Sequence, residues 1–475
     1  MAGRRPAPPL QIDELQLSGA GLRPANFGTA GRVFRNAAIV GVLTSAAKLA
    51  GAAKVIVTAR FFGTSDALDA FLIAFLLPSF LSDVVAGSFT PSLIPLLVRT
   101  QNEGGAASDT ANNPEAAHRL IRGALGFALT VLLAAAVGLG LTGRWLLPLA
   151  GSSFSADKLH LATALFFGLL FWLPMSACIA TWKAVLNANG FFALAAIAPL
   201  ATPLATIVLL YAFAERYGVA VLCVGMVGGV AMECILLALA VRRMGYPIGP
   251  AWPSWTSPEL KSLRRQYLPL AASAIISSAC VIVDQSVAGR LGPGRVSALV
   301  YGNKLAAVVL AVAASAAGTA VLPVFSRLAA AREWKRLRLS VLLYSGAVTL
   351  VITPLTIALV VCSGPIVRAL YEHGAFQASA AQVVTQVQRF AMLQAPFAML
   401  LAIATRLTAA LSANRLLVSM GAAALITDIV LDVVFSRWMG VAGIALATPC
   451  VQCVSLCVLV VLLRRHEPKV FSGGA

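Results

Sequence analysis

Twelve apolar stretches follow one another along this chain, each near or above the roughly 20 residues that cross a bilayer as a helix, and they leave it few ways to fold. They lie near residues 36–59, 67–98, 119–142, 160–186, 191–213, 219–241, 265–288, 296–323, 339–361, 382–410, 415–436 and 440–463. In hydrocarbon no water satisfies a free backbone N–H or C=O, so each stretch must close its own hydrogen bonds as a helix. Charged residues make up only 11% of the chain, against about 25% in soluble domains. The expected fold class is an all-α membrane protein with about 12 transmembrane helices.

The chain also repeats itself. ALDAFLIAFLL…PSLIPLLVR (67–99) is echoed by SALVYGNKLAA…TAVLPVFSR (297–327), with Ala70 answering Ala298 and Pro95 answering Pro323. KAVLNANG (183–190) returns as TAALSANR (408–415), and RYGVA (216–220) near RWMGVA (437–442). Echoes in one order at nearly constant offset mark a duplicated unit. Six stretches per unit return the chain to its starting side, so two pseudo-symmetric six-helix lobes are expected, related by an axis along the membrane normal. The expected divisions are a disordered cytoplasmic tail at 1–35, in which IDELQL could form an interfacial turn, a first lobe at 36–243, a linker at 244–264, a second lobe at 265–463 and a tail at 464–475.

Basic residues set the orientation. With a cytoplasmic N-terminus, 23 Lys and Arg fall in inner loops and tails, Lys183 among them, and 8 fall in outer loops. That bias puts both termini on the cytoplasmic side. It also accounts for the net charge of +18 through topology and contacts with anionic membrane lipids rather than nucleic acid. The start is polar and rich in Pro and Gly, unlike a signal peptide. All eight cysteines lie in apolar stretches and read as packing residues; Cys450, Cys453 and Cys457 share a helix face without a His or carboxylate partner. The four histidines are scattered, and no nucleophile with a base or phosphate loop appears, so an enzyme is not expected.

Function is therefore sought among charges inside the spans, where each costs on the order of 2.5–3.5 kcal/mol on insertion scales. These are Lys48, Lys54, Lys304, Asp83, Glu233, Asp284, Asp428 and Asp432, with Arg389 and Arg406 also within spans. The duplication supplies a control: Lys48 and Lys54 answer Ile276 and Ile282, and Lys304 answers Leu76. The scaffold repeats but the charges do not. Lys48 and Lys54 are separated by about 9 Å along the first helix, with Gly51 between them. Lys304 lies on the eighth stretch, which faces the first across the cleft of a two-lobed transporter, so the three cations are expected to meet an anion there. Snorkelling of these lysines to the interface is the bland alternative.

Several segments resemble the MurJ/MviN family. They are RFFGTSDALDAFLIAFLLPSFL…GSFTPSLIPLL (60–97), VDQSVAGRLGPGRVSALVYGNKLAAVVLAVAASAAGTAVLPVFSRLAA (283–330), VLNANGFFALAAIAPL, IVRALYEHGAF and GVAGIALATP. The resemblance implies the multidrug/oligosaccharidyl-lipid/polysaccharide exporter superfamily, alternating access, and flipping of an undecaprenyl-pyrophosphate-linked saccharide from the inner to the outer leaflet. It places the family's cavity arginines on Lys48, Lys54 and Lys304 and its outer aspartate on Asp69. Ser82 and Asp83 stand where the family has an arginine pair, and lysine lacks the bidentate fork that suits a pyrophosphate. The matched region closes with the twelfth stretch, whereas peptidoglycan flippases of the family typically carry two further helices. These departures shift the expected cargo from lipid II toward an exopolysaccharide or O-antigen unit. Asp83 is expected to face the same cavity and to pair with a first-helix lysine when no substrate is bound. A cation-coupled exporter of the same fold and a non-transporting scaffold are the alternatives of other classes. The chain is expected to act as a monomer beside the glycan-synthesis machinery.

Coupling is expected in the second half. Asp428 and Asp432 are four residues apart and share a helix face, and Asp284 and Thr448 reach similar depth on two other stretches. Three close carboxylates cannot all stay ionised without a cation or shared protons, and oxygen ligands suit a hard monovalent cation. The resemblance implies a sodium site with ligands at Asp284, Asp428, Asp432 and Thr448, although Asp428 stands where Asn is usual, which keeps protons and a purely structural cluster as alternatives.

Overall fold

The structure is a computed structural model that describes residues 27–102, 114–151, 154–252 and 257–472. In chain order the helices are α1 (Phe27–Phe62), α2 (Asp66–Asn102), α3 (Pro114–Ala150), α4 (Ala156–Leu170), α5 (Trp172–Ala188), α6 (Phe192–Ile197), α7 (Ala201–Tyr217), α8 (Ala220–Arg243), α9 (Pro258–Arg290), α10 (Arg295–Ala330), α11 (Trp334–Val361), α12 (Ser363–Tyr371), α13 (Ala378–Met392), α14 (Gln394–Ala410), α15 (Arg415–Met439), α16 (Val441–His466) and α17 (Pro468–Ser472). Among the described residues, eleven helical segments are long and apolar enough to cross a membrane, each overlapping one of the expected stretches. The expected stretch at 296–323 falls within the 36-residue α10. The chain is an all-helical, multi-pass membrane protein.

Helix boundaries depart from the sequence reading at three places. α1 begins at Phe27 rather than near 36, while the IDELQL segment lies outside the described residues. α9 begins at Pro258, where the Ser257 side chain accepts from the Leu260 N–H at 3.3 Å; this N-cap signal shortens the expected linker. At the other end, α17 folds back against α11 and buries Val470 to 1% exposure.

The duplication survives in backbone detail. The helix of the fourth stretch breaks between α4 and α5 at Phe171 (φ −61°, ψ −22°), and that of the tenth between α13 and α14 at Leu393 (φ −61°, ψ −19°). α7 ends on Gly218 (φ 57°, ψ −143°) and α15 on Gly440 (φ 59°, ψ −139°). Each pair is 222 residues apart, the offset of the RYGVA echo. Glycine at both caps follows from the positive φ, which costs a residue without Cβ little.

Packing differs between the two ends of the bundle. At the end where α1 meets α2, one apolar core takes residues from both halves, including Ala59, Leu68, Phe71, Val296, Tyr301 and Tyr371. At the opposite end the core divides. Phe89, Leu93 and Ile121 pack with Leu173, Leu186 and the start of α9 in one cluster, and Phe325, Leu337, Leu407 and Leu463 form another. The halves are thus sealed at the α1–α2 end and separate at the other, with α9 crossing between them against α2 and α15.

Candidate functional site

Lys48 and Lys54 lie on α1, and Lys304 lies on α10, which packs against it. Lys54 and Lys304 are half-buried and Lys48 is exposed. Their charges interact: Lys304 with both Lys48 and Lys54, and Lys48 with Asp83 on α2. Packing of α10 on α1 sets the three lysines near one another, and Lys48 is near enough to Asp83 for their charges to interact. The expected Asp83–lysine salt bridge is not formed, since no lysine lies within 4 Å of it among the described residues. Both Lys48 and Asp83 are exposed, and solvation of separated charges competes well with an exposed pair, worth only about 0–1 kcal/mol.

Asp69 lies away from this cleft, in the sealed end. It is fully buried on α2, and its carboxylate accepts from the backbone N–H of Gly294 at 2.7 Å and of Ser297 at 2.8 Å, where α10 begins. An anion from the first half thus caps a helix of the second, with the positive end of the helix dipole adding to the two bonds. Lys158 stands beside it, 2.6 Å from Asp66 and 3.7 Å from Asp69. Around this latch the Tyr301 hydroxyl donates to the Gly63 carbonyl at 2.9 Å, and the Ala375 N–H donates to the Arg60 carbonyl at 2.8 Å. Asp69 thus joins the two halves at their shared core.

Asp284 on α9 and Asp428 and Asp432 on α15 converge, with one carboxylate oxygen of each within 4.8 Å of the others. Asp428 and Asp432 are buried to 3% and 0% exposure. Buried oxygens Asp284 Oδ1, Asp428 Oδ2 and both of Asp432 find no hydrogen-bond donor among the described residues. Packing of α9 on α15 makes this cluster from residues about 145 apart in sequence. Thr448, on the adjoining α16, is half-buried and donates to none of the three. Cys280, which reads from sequence as a packing residue, lies one turn before Asp284 on α9, and its thiol donates to the Ile276 carbonyl at 3.8 Å.

One polar constellation escapes the sequence reading. Lys183, assigned there to an inner loop, sits within α5 and pairs with Glu233 of α8 at 2.7 Å. Glu233 is 5% exposed, and a buried carboxylate on an apolar span demands a partner. Lys183 lies about 7.5 Å from the end of its helix, near enough to read as a loop residue when only one helix is in view. Arg389 and Arg406 are exposed and form no ion pair among the described residues.

A model of the family described as "Lipid II flippase MurJ" matches residues 58–474. The chain belongs to the MurJ family. A probable lipid II flippase MurJ of Rhizobium meliloti (strain 1021) is 30% identical over 363 residues, which cover 74% of this chain and 65% of that protein. A probable lipid II flippase MurJ of Vibrio cholerae is 23% identical over 440 residues, covering 88% of this chain and 80% of that one. Against the first MurJ relative the chain spans just under two thirds of the length. Among solved structures, a lipid II flippase MurJ in an inward closed conformation superposes with a TM-score of 0.72 at 19% identity, over 91% of this chain and 90% of that one. An inward-facing multidrug resistance transporter of the MATE family and MOP superfamily follows, with a TM-score of 0.70 at 14% identity, over 90% and 96%. MurJ and MATE transporters thus share this fold.

Proposed function

We infer that this protein flips an undecaprenyl-pyrophosphate-linked saccharide, with the peptidoglycan precursor lipid II as first candidate, from the cytoplasmic to the periplasmic leaflet of the inner membrane. The observation that carries this reading is the convergence of Lys48, Lys54 and Lys304 inside a membrane bundle. Like charges gathered there repel one another and are costly to hold unless an anion occupies the space between them. A pyrophosphate supplies that anion. The cluster bears on the alternative exporter reading too, because a cationic drug would be repelled.

The separated cores support a cleft between the halves that opens at the end the basic residues assign to the cytoplasm, where substrate is made. Movement across the membrane then requires the Asp69 latch to release and the opposite end to close. The three-carboxylate cluster suits a coupling role. Its oxygen donors fit Na⁺ or shared protons, and Asp284, Asp428 and Asp432 would hold the ion. An ion bound there would lower the repulsion among the carboxylates and so draw α9 and α15 together.

The test is transport of fluorescent lipid II into the outer leaflet of vesicles holding the purified protein. Replacing each lysine by Gln should lower the rate at least tenfold at unchanged insertion, and Arg at the same position should retain it, because a desolvated pyrophosphate without countercharge costs several kcal/mol. Wild-type transport by the triple Gln variant would overturn the reading. Transport of an O-antigen or exopolysaccharide unit in place of lipid II would reassign the cargo while keeping the site.

A further inference from the structure

The Lys183–Glu233 pair stands in the wall of a cavity of about 370 Å³ in the first half, bounded by α2, α5, α7 and α8. Trp172, Asp83 and Thr202 also line it. Trp172 stacks on Phe75 at 4.9 Å between ring centroids and remains half-buried, with part of the indole left for the cavity. Ser82 donates to Ser176, Ser176 to the Trp172 carbonyl and Thr90 to the Ala180 carbonyl, at 3.0 Å each. These hydroxyls spend their protons on the wall and turn lone pairs to a guest.

The charges of this wall select its guest. Lys183 and Glu233 neutralise one another, so a cation would be repelled by the first and an anion by the second. Together they still offer ammonium donors and carboxylate acceptors. Asp83 is exposed and forms no ion pair among the described residues, and its charge interacts at longer range with that of Lys48 in the cationic cleft. The guest is therefore neutral, rich in hydroxyl or amide groups, and able to set an apolar face on an aromatic ring. The volume lies toward the low end of ligand cavities, roughly 300–1,000 Å³, which suits one or two sugar rings and not a whole headgroup. Asp83 belongs to both places, so the cavity adjoins the lysine cluster. In a lipid-linked glycan the first sugar is bonded directly to the pyrophosphate.

We propose that this first-half cavity is the saccharide subsite, which receives the pyrophosphate-proximal sugar on Trp172 and the Lys183–Glu233 pair while the phosphates sit on Lys48, Lys54 and Lys304. The subsite rests on the flippase reading above, and sugar dependence of binding separates the two. The full-length protein in detergent is titrated with undecaprenyl pyrophosphate and with undecaprenyl-pyrophosphoryl-N-acetylglucosamine, and binding is read by native mass spectrometry. Wild type should bind the sugar-bearing lipid about tenfold more tightly than the bare pyrophosphate, a difference well resolved by titration. W172A should lose this increment. So should the paired variant K183M/E233L, which removes the ion pair without leaving a buried charge unpaired. Both should keep wild-type affinity for undecaprenyl pyrophosphate, which reports that the protein is folded.

The subsite is overturned if wild type shows no increment, if both variants keep it, or if both lose bare pyrophosphate binding as well, since the residues would then serve the fold or the phosphates. K48Q/K54Q/K304Q addresses the other reading alone: unchanged affinity for undecaprenyl pyrophosphate would remove the lysine site without touching the sugar increment.

Discussion

At the scale of single residues, one buried carboxylate holds two halves of a molecule together. Asp69 is fully buried and its two oxygens take backbone donors from α10; charge-assisted bonds of this kind are worth roughly 1.5–3 kcal/mol each. Asn keeps the size but loses the charge and turns a donor toward one N–H. D69N should therefore loosen the sealed end, which maleimide labelling of a single cysteine at Ser65, in a background lacking the eight native cysteines, would report as a several-fold increase over wild type. Unchanged labelling would show that packing alone seals this end. Asp432 allows a second prediction at this scale. Neither of its oxygens has a donor among the described residues, so on the coupling role proposed above an ion or a proton holds it in place, and D432N should cut transport at least tenfold. Wild-type transport should fall on collapse of the sodium gradient if the cluster holds Na⁺, or of the proton gradient if it shares protons. Indifference to both gradients together with an active D432N would remove the coupling role.

At the scale of elements, the sealed end is a meeting of turns. The turn after α1 lies against the turn after α12 so closely that a Cβ on Gly374 would run into the Arg60 carbonyl oxygen, and Gly374 has φ +66°. Alanine there meets both obstacles, the left-handed backbone costing about 1–2 kcal/mol by itself. G374A should push the turns apart and weaken the Ala375-to-Arg60 hydrogen bond, seen as faster amide exchange at Ala375 with little change in the helices flanking the cleft. Equal exchange in the two proteins would place the closure elsewhere. The paired breaks at Phe171 and Leu393 are of the same scale. Neither is a proline, and only their identical backbone and 222-residue separation identify them as one feature of the repeated unit.

At the scale of the whole molecule, the halves share a core at one end and have separate cores at the other. Flipping as proposed above requires passage through the opposite arrangement. A Cβ built on Gly294 would stand 3.2 Å from that of Thr64, a little under the roughly 3.5–4.5 Å of a disulfide, and 2.6 Å from the Thr64 carbonyl oxygen at a φ of +73°, so bridging the two positions requires the turns to separate slightly. T64C/G294C, again without native cysteines, should cross-link on oxidation, stop transport, and recover it on reduction. Undiminished transport by the fully cross-linked protein would mean that this end never needs to open.

The sequence by itself determined the helical membrane fold, its internal duplication and the list of charges that matter, because these rest on properties local to the chain: the length of an apolar run, a repeated motif, the cost of a charge within a span. Convergence of Asp284 with Asp428 and Asp432 was also legible, since helical pitch gives depth and the repeat gives neighbours. What only the tertiary structure decided was partnership between helices. That Lys183 belongs to Glu233, that Asp69 caps α10 instead of facing the cavity, and that Asp83 stands apart from the lysines it interacts with all depend on rotation and crossing of helices distant in sequence. Apolar spans carry little rotational information when nearly every face is greasy, so tertiary packing sets which side chains meet.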